Sequence, residues 1–375
     1  MRILELGKFY PPHHGGIETL LRSWCEGFVR QGAEVDCVVA NNTSRTVVEE
    51  INGVRVHRLA SYGTFVSTSI CPGYLNSTRR FPSDLWHVHF PNPLADLACL
   101  RGDPKTPLVL SYHSDVVRQA GLMNVYRPLM NRLLRRATRI VVATPNHLDY
   151  SPWLGAYREK CEVIPFGIDL ARFAPTPGLL QAAAELRQSA KGKPILLNIG
   201  RLVGYKGQRH LLEAARELDA VVWLVGVGPL EAELKQQAQA LGLGERVRFW
   251  GAVDERQLPV MLHACDVFVL PSVTANEAFG IVQVEAMACG KPVVSCALRS
   301  GVPFVNQDGV TGLIVPPADM IALTAALRRL LQEPATRARL GEAGRRRAEQ
   351  EFAESVMVER YWQCFQRLSA RSCPP

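Results

Sequence analysis

The sequence predicts an α/β protein of two domains, each with a mainly parallel sheet that carries helices on both faces. The chain has 375 residues, more than one hydrophobic core usually organises. Short apolar runs of strand length alternate with stretches of helical periodicity, as expected where helices connect parallel strands. A pattern of strand, glycine loop and helix opens the chain and starts again near residue 195, which indicates a second domain of the same kind.

The composition is that of an ordinary globular protein, with 47% hydrophobic and 21% charged residues. The first strand reaches Gly7 too early for a secretory signal, and no run approaches the roughly 20 apolar residues of a spanning helix. The ten cysteines include no Cys-x-x-Cys pair and no Cys/His cluster with zinc spacing. We therefore expect a cytoplasmic protein with free thiols and no structural zinc.

The first predicted domain opens with a buried strand at Ile3–Leu6, then a loop that ends in Gly15 and Gly16, then a helix. Paired glycines let the backbone come close to a ligand, and a helix N-terminus favours a phosphate. A plain tight turn is the alternative interpretation. Because Gly-x-Gly-x-x-Gly is absent, the loop lacks a dinucleotide fingerprint.

Further strands are predicted in this domain, and two of them end in polar residues. The strands are Val35–Val39, Gly53–Leu59, Leu85–His89, Leu108–Tyr112 and Ile140–Ala143. Open parallel sheets bind ligands beyond the carboxyl ends of their strands, where His89, His113 and Asp115 fall. The alternative is that the histidines are structural groups satisfied inside the fold.

A domain boundary is predicted between residues 166 and 167, ahead of a stretch loosened by Pro175, Pro177 and Gly178. The expected domains are residues 1–166 and 167–355. A C-terminal helix at 356–375 is expected to pack back on the first domain.

The second domain begins with the strand Ile195–Ile199 and a glycine-rich loop that contains Arg201 and Lys206. A Walker motif cannot be fitted to this loop. Two cations on a flexible backbone nevertheless suit a diphosphate, Arg201 through its bidentate fork and Lys206 as a point charge.

Two carboxylates flank the predicted start of a later helix. The strand Val267–Leu270 leads through Glu277 to a helix that begins near Gly280, carries Glu285 one turn in and stops at Gly290. The helix N-terminus adds positive potential and free N–H groups, so the stretch suits an anion with hydroxyls on both sides. Alternatively, Glu277 only satisfies the helix dipole and Glu285 is solvated.

The formal net charge of +8 is unevenly placed, because arginines without acidic neighbours crowd the segment Arg127–Arg139. Apolar residues interleave with these arginines at helical spacing, as in helices that lie on anionic membrane surfaces. A basic solvated face on a packed helix is the alternative. Nucleic acid is not expected as a partner, because no recognition motif or aromatic platform accompanies the charge.

Seven stretches in a fixed order carry a family resemblance. They are Gly15–Glu18, Tyr112–Asp115, Pro165–Asp169, Gly200–Gly207, Gly226–Pro229, Glu277–Glu285 and Thr311–Leu313. Together they resemble the retaining glycosyltransferases of the GT-B fold, in the family-4 group that includes mannosyl- and glucosyltransferases of bacterial glycolipid and polysaccharide synthesis. One position departs from that pattern: where the family often has Gly-Gly-x-Pro-Glu, this chain ends the motif in Phe304.

The resemblance implies two Rossmann-like α/β/α domains whose parallel sheets face a deep cleft. The donor would lie on the C-terminal domain, with Arg201 and Lys206 on its diphosphate. Glu285 would take the ribose hydroxyls and Glu277 hydroxyls of the transferred sugar. The further donor-binding positions are Gly228, Val253 and the amides at Phe279, Gly280 and Ile281.

The resemblance also assigns roles in the N-terminal domain. Gly15 and Gly16 would close over the donor phosphates, and His113 would face the sugar. Glu18 and Asp115 are candidates for the acceptor side. The implied catalytic residues are thus Glu277, His113, Arg201 and Lys206.

The expected reaction moves a hexosyl group from a nucleotide diphosphate sugar to a glycan or lipid-linked acceptor with retention of the anomer. GDP-mannose is placed slightly ahead of UDP-glucose as donor. No Asp-x-Asp occurs in the chain, so we expect no metal and no cofactor, with the cations and the helix dipole in the metal's role. The basic helix would hold the enzyme peripherally on the inner face of the cell membrane.

Three alternatives remain open. A GT-B nucleotide-sugar 2-epimerase or hydrolase would share the nucleotide site but would transfer no sugar to an acceptor. A non-catalytic two-domain sugar-binding protein would have no need of Arg201 and Lys206. A nicotinamide dehydrogenase is disfavoured by the missing dinucleotide glycines.

Overall fold

The computed structural model describes the backbone of residues 1–13, 15–65, 68–115 and 120–370. The strands in this part of the chain, in order, are β1 Arg2–Leu6, β2 Glu34–Ala40, β3 Val47–Ile51, β4 Val54–Leu59, β5 Thr64–Phe65, β6 Thr68–Ser69, β7 Leu85–Phe90, β8 Leu108–Tyr112, β9 Arg139–Val142, β10 Cys161–Val163, β11 Ile195–Ile199, β12 Val221–Val225, β13 Val247–Gly251, β14 Val267–Leu270, β15 Val293–Cys296 and β16 Gly312–Val315.

The α-helices follow the same numbering by chain order. They are α1 Gly16–Arg30, α2 Ser77–Arg80, α3 Pro93–Arg101, α4 Ala120–Arg136, α5 Pro145–Tyr150, α6 Pro177–Gln188, α7 Gln208–Ala215, α8 Glu231–Ala240, α9 Gln257–Ala264, α10 Ile281–Ala288, α11 Val302–Val305, α12 Met320–Gln332, α13 Pro334–Glu351 and α14 Glu354–Ala370.

The chain divides into two compact units. Unit 1 comprises Met1–Gly167 together with Glu354–Pro375, and unit 2 comprises Ile168–Ala353. Helix α14 therefore belongs to unit 1, where it packs beside α1. The two helices approach closely at Gly27, since a Cβ there would lie 2.4 Å from Cγ2 of Val358.

Unit 1 is built on an eight-stranded sheet in the order β10-β9-β8-β7-β1-β2-β4-β3. All neighbouring strands are parallel except the pair β3 and β4. Strand β1 lies between β2 and β7, so the direction in which strands are added reverses beside it. Ligands of open parallel sheets bind at such a point, beyond the carboxyl ends of the strands.

Unit 2 is built on a six-stranded, fully parallel sheet in the order β13-β12-β11-β14-β15-β16. Here the order reverses between β11 and β14. The loops after these two strands carry Arg201, Lys206 and Glu277. The predicted α/β class with two parallel sheets is confirmed.

The predicted basic helix is too long at its C-terminal end. Helix α4 stops at Arg136, and Arg139 begins strand β9. The physical reason is the apolar run that starts at Ile140, which pairs with β8 and is buried in the sheet. The prediction of a helix through Arg139 is therefore wrong.

The apolar side of α4 packs into unit 1. Met130, Leu133 and Leu134 are fully buried in its core. None of the described helices combines the length and apolar character needed to cross a bilayer. The cysteines of the described chain are free thiols, as predicted.

Candidate active site

The loop after β11 in unit 2 carries two basic side chains that differ in exposure and in their partners. The Arg201 side chain is exposed and has no hydrogen-bond or ion-pair partner among the described residues. Lys206 is nearly buried and is the last residue of a short 3-10 turn, Gly204–Lys206. Gly207 comes next with a φ of 69°, and a Cβ there would lie 2.0 Å from the carbonyl oxygen of Pro271. This glycine lets the loop after β11 lie against the loop after β14.

The two loops are joined by a buried ion pair. The Nζ atom of Lys206 lies 2.6 Å from Oε2 of Glu277, and the side chains are 12% and 9% exposed. The hydroxyl of Ser272 donates to the same carboxylate oxygen at 2.9 Å. The sequence predicted separate contacts for Lys206 and Glu277, and it did not single out Ser272. The structure brings all three side chains together at the point where the strand order of unit 2 reverses.

The N-terminus of α10 lies directly after this pair. Gly280 precedes the helix with a φ of 68°, a left-handed conformation that favours glycine. The amides of Gly280, Ile281 and Val282 have no acceptor among the described residues, and no side chain caps the helix. The ring of Phe279 turns inward and packs edge-on against Phe352. The backbone here therefore offers N–H donors and the positive end of a helix dipole.

Glu285 is not a solvated helix residue. Its Oε2 atom is buried and has no hydrogen-bond partner among the described residues. Burial raises the pKa of this carboxyl to about 7, an effect that the charge of Arg172 opposes and that of Glu255 reinforces. A mostly buried carboxylate with a free oxygen can accept hydroxyl donors from a ligand.

The loop after β12 lies against the loop after β11, and β13 is the next strand beyond β12. A Cβ at Gly228 would lie 2.3 Å from the carbonyl oxygen of Leu202, so a side chain there would displace backbone. Val253 is half-buried, two residues beyond the end of β13. Both positions therefore lie in loops at the carboxyl edge of the unit 2 sheet.

Phe304, the departure from the family pattern, has a packing role in unit 2. Its ring lies edge-on to Phe352, and the guanidinium of Arg347 stands 5.2 Å from the ring centroid. Arg347 also donates to the carbonyl oxygens of Phe304 and Val305. The aromatic residue thus makes apolar and cation–π contacts that a glutamate at this position would not make.

In unit 1, the glycine pair precedes and begins α1. Gly15 is extended, with a φ of 176°, and a Cβ there would lie 2.0 Å from Oε2 of Glu18. Gly16 is the first residue of α1, and a Cβ added to it would meet no described atom within 4 Å. Packing within the described part of the chain therefore gives no reason for glycine at position 16.

A chain of buried polar side chains runs under α1 and α14. Oε2 of Glu5 lies 3.0 Å from Nε2 of His89, whose Nδ1 lies 3.1 Å from Nε2 of His113. Oε1 of Glu5 lies 2.8 Å from Nδ1 of His87, whose Nε2 lies 2.7 Å from the hydroxyl of Ser111. We call these side chains, with Tyr361 beyond Ser111, the Glu5 network.

Burial dominates the electrostatics of this network. It raises the pKa of Glu5 and lowers the pKa of His87, His89 and His113 to about 3. Glu5, His87 and His89 also form a group of possible metal ligands. Since their facing atoms already lie at hydrogen-bond distance from one another, we assign the group to hydrogen bonding.

The sequence prediction missed Glu5 and His87. The available signals were a carboxylate inside the apolar strand Ile3–Leu6 and a histidine two residues before His89. The structure pairs these two residues in register. Asp115 is close by in sequence and accepts hydrogen bonds at 2.7 Å from the hydroxyls of Tyr112 and Ser151.

Helix α4 exposes some of its arginines and uses one internally. Arg127, Arg132 and Arg135 are exposed. Arg136 instead donates to the carbonyl oxygens of Asp103 and Thr106, and its guanidinium stacks on Trp86. Only part of the predicted basic face is therefore available to a surface.

Two parallel-sheet units with polar groups beyond their carboxyl edges define a two-domain α/β protein of the GT-B class. Residues 15–167 match the family model described as "Glycosyl transferase 4-like domain", and residues 183–347 match "Glycosyl transferases group 1". The solved structure of sucrose-phosphate synthase from Thermosynechococcus elongatus superimposes with a TM-score of 0.81 and 26% identity, over 99% of each chain.

Two relatives match over nearly the whole length. O-antigen chain mannosyltransferase C of Escherichia coli is 34% identical over 367 residues, 96% of this chain and 97% of the relative. D-rhamnosyltransferase WbpZ of Pseudomonas aeruginosa is 35% identical over 355 residues, 94% of this chain and 92% of the relative. The chain belongs to the glycosyltransferases of the GT-B fold and the family-4 group, and it is a glycosyltransferase enzyme.

Proposed function

We propose that this enzyme transfers a hexosyl group from a nucleotide diphosphate sugar to a glycan or lipid-linked acceptor, with retention of the anomeric configuration. One observation carries the proposal. Around the strand reversal of unit 2, the loops after β11 and β14 and the start of α10 carry a free guanidinium, a lysine, helix amides without a described acceptor and two largely buried carboxylates. Cations and amides suit a diphosphate, and carboxylates suit sugar hydroxyls.

Each group has a proposed task. Arg201, Lys206 and the amides at Phe279, Gly280 and Ile281 bind the diphosphate. Glu285 accepts hydrogen bonds from the ribose through its unpartnered oxygen. Glu277 orients hydroxyls of the transferred sugar, while Gly228 and Val253 border the nucleoside.

The proposal assigns unit 1 to the phosphates, the sugar and the acceptor. The open space beside Gly16 supports a close approach of the backbone at Gly15 and Gly16 to the phosphates. His113 bonds a hydroxyl of the sugar, and Glu18 and Asp115 serve the acceptor. Asp115 is already fixed by two hydroxyl donors, which supports a role in positioning.

The charges suggest how transfer is catalysed. As the anomeric C–O bond breaks, negative charge develops on the diphosphate, and the cations and N–H groups stabilise it more in the transition state than in the ground state. The acceptor oxygen attacks from the face of the leaving group. Its proton passes to the departing phosphate oxygen, so the products are the glycoside and the nucleoside diphosphate.

We propose that no metal takes part. In this enzyme Arg201, Lys206 and the α10 dipole supply the positive charge that a divalent ion would supply at a diphosphate. The sequence offers no Asp-x-Asp pair for such an ion. Turnover should therefore be unchanged by EDTA.

The donor is proposed to have the manno configuration, with GDP-mannose as the first candidate and UDP-glucose as the second. The names of the two full-length relatives specify mannose and D-rhamnose, which is 6-deoxymannose. Both sugars carry the axial 2-hydroxyl that distinguishes mannose from glucose.

The decisive experiment incubates the enzyme with GDP-mannose or UDP-glucose, with and without lipid-linked glycan acceptors, in buffer with EDTA. We expect an acceptor-dependent glycoside whose anomeric configuration, read by NMR, equals that of the donor. An inverted anomer or loss of activity in EDTA would refute the mechanism. If epimerised or free sugar formed equally without acceptor, the result would favour the epimerase or hydrolase. If the donor were not turned over at all, the result would favour the binding protein.

A further inference from the structure

The Glu5 network determines where the protons lie on its three imidazoles. Since burial lowers the pKa of each histidine to about 3, every imidazole is neutral and carries one N–H. In a neutral imidazole one nitrogen donates and the other accepts. Each hydrogen bond along the chain therefore fixes the tautomer of the next ring.

An ionised Glu5 accepts at both oxygens, so both branches of the network must donate toward it. Along the closed branch, Tyr361 donates to Ser111, Ser111 to Nε2 of His87, and Nδ1 of His87 to Glu5. Along the open branch, Nε2 of His113 donates to Nδ1 of His89, and Nε2 of His89 donates to Glu5. Every hydrogen in both branches then has an acceptor.

The two branches end differently. The closed branch ends at the hydroxyl of Tyr361, a residue only 2% exposed, whose sole acceptor in the network is Ser111. The open branch ends at Nδ1 of His113, which bonds to none of the described residues and follows the carboxyl end of β8. Reversing the closed branch would leave a buried O–H unpaired, which is costly, whereas the open branch can reverse.

We propose that Glu5, acting through His89, is a positioning residue that holds His113 in the Nε2–H tautomer, so that an unprotonated Nδ1 faces the sugar. His113 then accepts a hydrogen bond from a sugar hydroxyl. The tautomer follows from the network with Glu5 ionised, the state that the hydrogen bond from His89 favours against burial, whereas its use on the sugar rests on the proposed function. Neither Glu5 nor His89 touches the substrate.

The first test reads the tautomer of the wild-type protein by long-range ¹H–¹⁵N NMR on histidine-labelled enzyme. The His113 signals are assigned by their loss in His113→Gln. We expect a protonated Nε2 and an unprotonated Nδ1. A protonated Nδ1 would overturn the proposal, and this measurement does not depend on any variant folding well.

The second test uses Glu5→Gln, whose amide can accept from one branch but must donate to the other. The open branch should reverse, because its end can donate to water, so Nδ1 of His113 becomes protonated. Ser111→Ala is the control, since it alters only the closed branch and should leave His113 unchanged. Circular dichroism confirms folding of both variants. An unchanged His113 tautomer in folded Glu5→Gln would contradict the proposal.

The kinetic test compares the same variants with the donor that the enzyme uses. Glu5→Gln should lower kcat/KM by about 3- to 10-fold, the range for one neutral hydrogen bond, and Ser111→Ala should not. An inverted tautomer with unchanged kcat/KM would refute the positioning role. If the wild-type enzyme transferred no sugar, the proposed function would fail, while NMR would still decide the tautomer.

Discussion

The ammonium of Lys206 lies 2.6 Å from Oε2 of Glu277, and both side chains are nearly buried. The pair joins the loop after β11 to the loop after β14, where the strand order of unit 2 reverses. The hydroxyl of Ser272 also donates to this oxygen, so the carboxylate is held from two sides. The pair therefore fixes both loops and keeps a cation and a carboxylate within reach of one ligand.

Breaking this pair on one side should destabilise unit 2 more than removing both charges. Lys206→Met leaves a carboxylate in a largely buried place without its cation, which should lower the free energy of unfolding by about 3 kcal/mol. Lys206→Met combined with Glu277→Gln should recover most of that loss. Urea unfolding measures the free energy of unfolding of both variants. The exposed pair of Lys235 and Glu231 provides the control, because Lys235→Met should change the free energy of unfolding little. Additive losses in the double variant would mean that the two charges are not coupled.

Arg201 should matter for activity and not for stability. Its guanidinium is exposed and unpaired within the described chain, so Arg201→Gln should leave urea unfolding unchanged. If it stabilises the leaving diphosphate, kcat/KM should fall by about 10² to 10³. Arg201→Lys should retain only part of the wild-type kcat/KM, because an ammonium lacks the bidentate fork of a guanidinium.

Arg209 is the matched control for Arg201, an exposed arginine near the start of α7. Arg209→Gln removes the same charge a short distance along the chain and should leave kcat/KM unchanged. An equal loss in both variants would indicate a general electrostatic effect in place of a contact with the diphosphate.

Most of the fold could be predicted from the sequence, because strands and turns are indicated by short stretches of neighbouring residues. Apolar runs such as Val267–Leu270 and glycine loops such as Gly200–Gly207 report directly on strand and turn. Helix α4 was predicted too long because arginines satisfy helical spacing on either side of its true end. The sequence predicts the next strand from Ile140, and only the pairing of Arg139 with Val109 of β8 shows that the sheet begins one residue earlier.

The side-chain partnerships could not be predicted in the same way, because they join residues distant in sequence. Lys206 and Glu277 are 71 positions apart, and Glu5 and His89 are 84 apart. The spacing of charges indicates that loops carry functional groups, but only the strand order shows which loops are neighbours. The buried state of Glu285 likewise depends on packing around α10 that a helical pattern does not specify.

Glu285 should make donor binding depend on pH near neutrality. Burial raises its pKa from 4.5 to about 7, and the ionised form is the better acceptor for ribose hydroxyls. The affinity for GDP-mannose, whose phosphates do not titrate in this range, should therefore rise as pH increases through about 7. Calorimetric titration measures it. Glu285→Gln should bind the donor more weakly and without this pH dependence; a pH dependence retained in the variant would contradict the assignment.

The same carboxyl should reduce stability at high pH. Because the folded pKa lies above the unfolded value, its contribution is fully present below about pH 4.5 and is lost as pH rises through 7. The loss amounts to up to about 3 kcal/mol for a shift of this size. Glu285→Gln should thus be more stable than wild type at pH 8 in urea unfolding, even though it binds the donor less well.

Glu277→Gln, in contrast to Glu285→Gln, should mainly lower kcat.

Gly16→Ala should separate a ligand requirement from a structural one. A Cβ at this first residue of α1 meets no described atom within 4 Å, so stability should stay the same or rise by up to about 1 kcal/mol. If phosphate approaches this backbone, the added methyl group would forfeit a charged hydrogen bond, and kcat/KM should fall at least about tenfold. Gly178→Ala, near the start of α6 and equally open, is the control and should not alter activity. Full activity of Gly16→Ala would exclude a close phosphate at this position.

The exposed arginines of α4 should determine any binding to anionic membranes. Arg127, Arg132 and Arg135 are free to meet lipid headgroups, whereas Arg136 is engaged with Trp86 and two carbonyl groups. Each arginine near an anionic surface contributes about 1 kcal/mol to membrane binding. Replacing all three with glutamate should therefore weaken the affinity for phosphatidylserine vesicles, measured by sedimentation, by more than about a hundredfold.

The control for the membrane test reverses three exposed arginines of unit 2, at Arg209, Arg256 and Arg346. Each triple reversal replaces three positive charges with three negative ones and lowers the formal net charge from +8 to +2, so the variants differ only in where the charge lies. If α4 is the contact, the control should sediment like wild type, and both should lose binding in high salt because these charges are exposed. Equal loss in the two variants would show that net charge alone draws the protein to the vesicles, and unchanged sedimentation of the α4 variant would remove the membrane from its function.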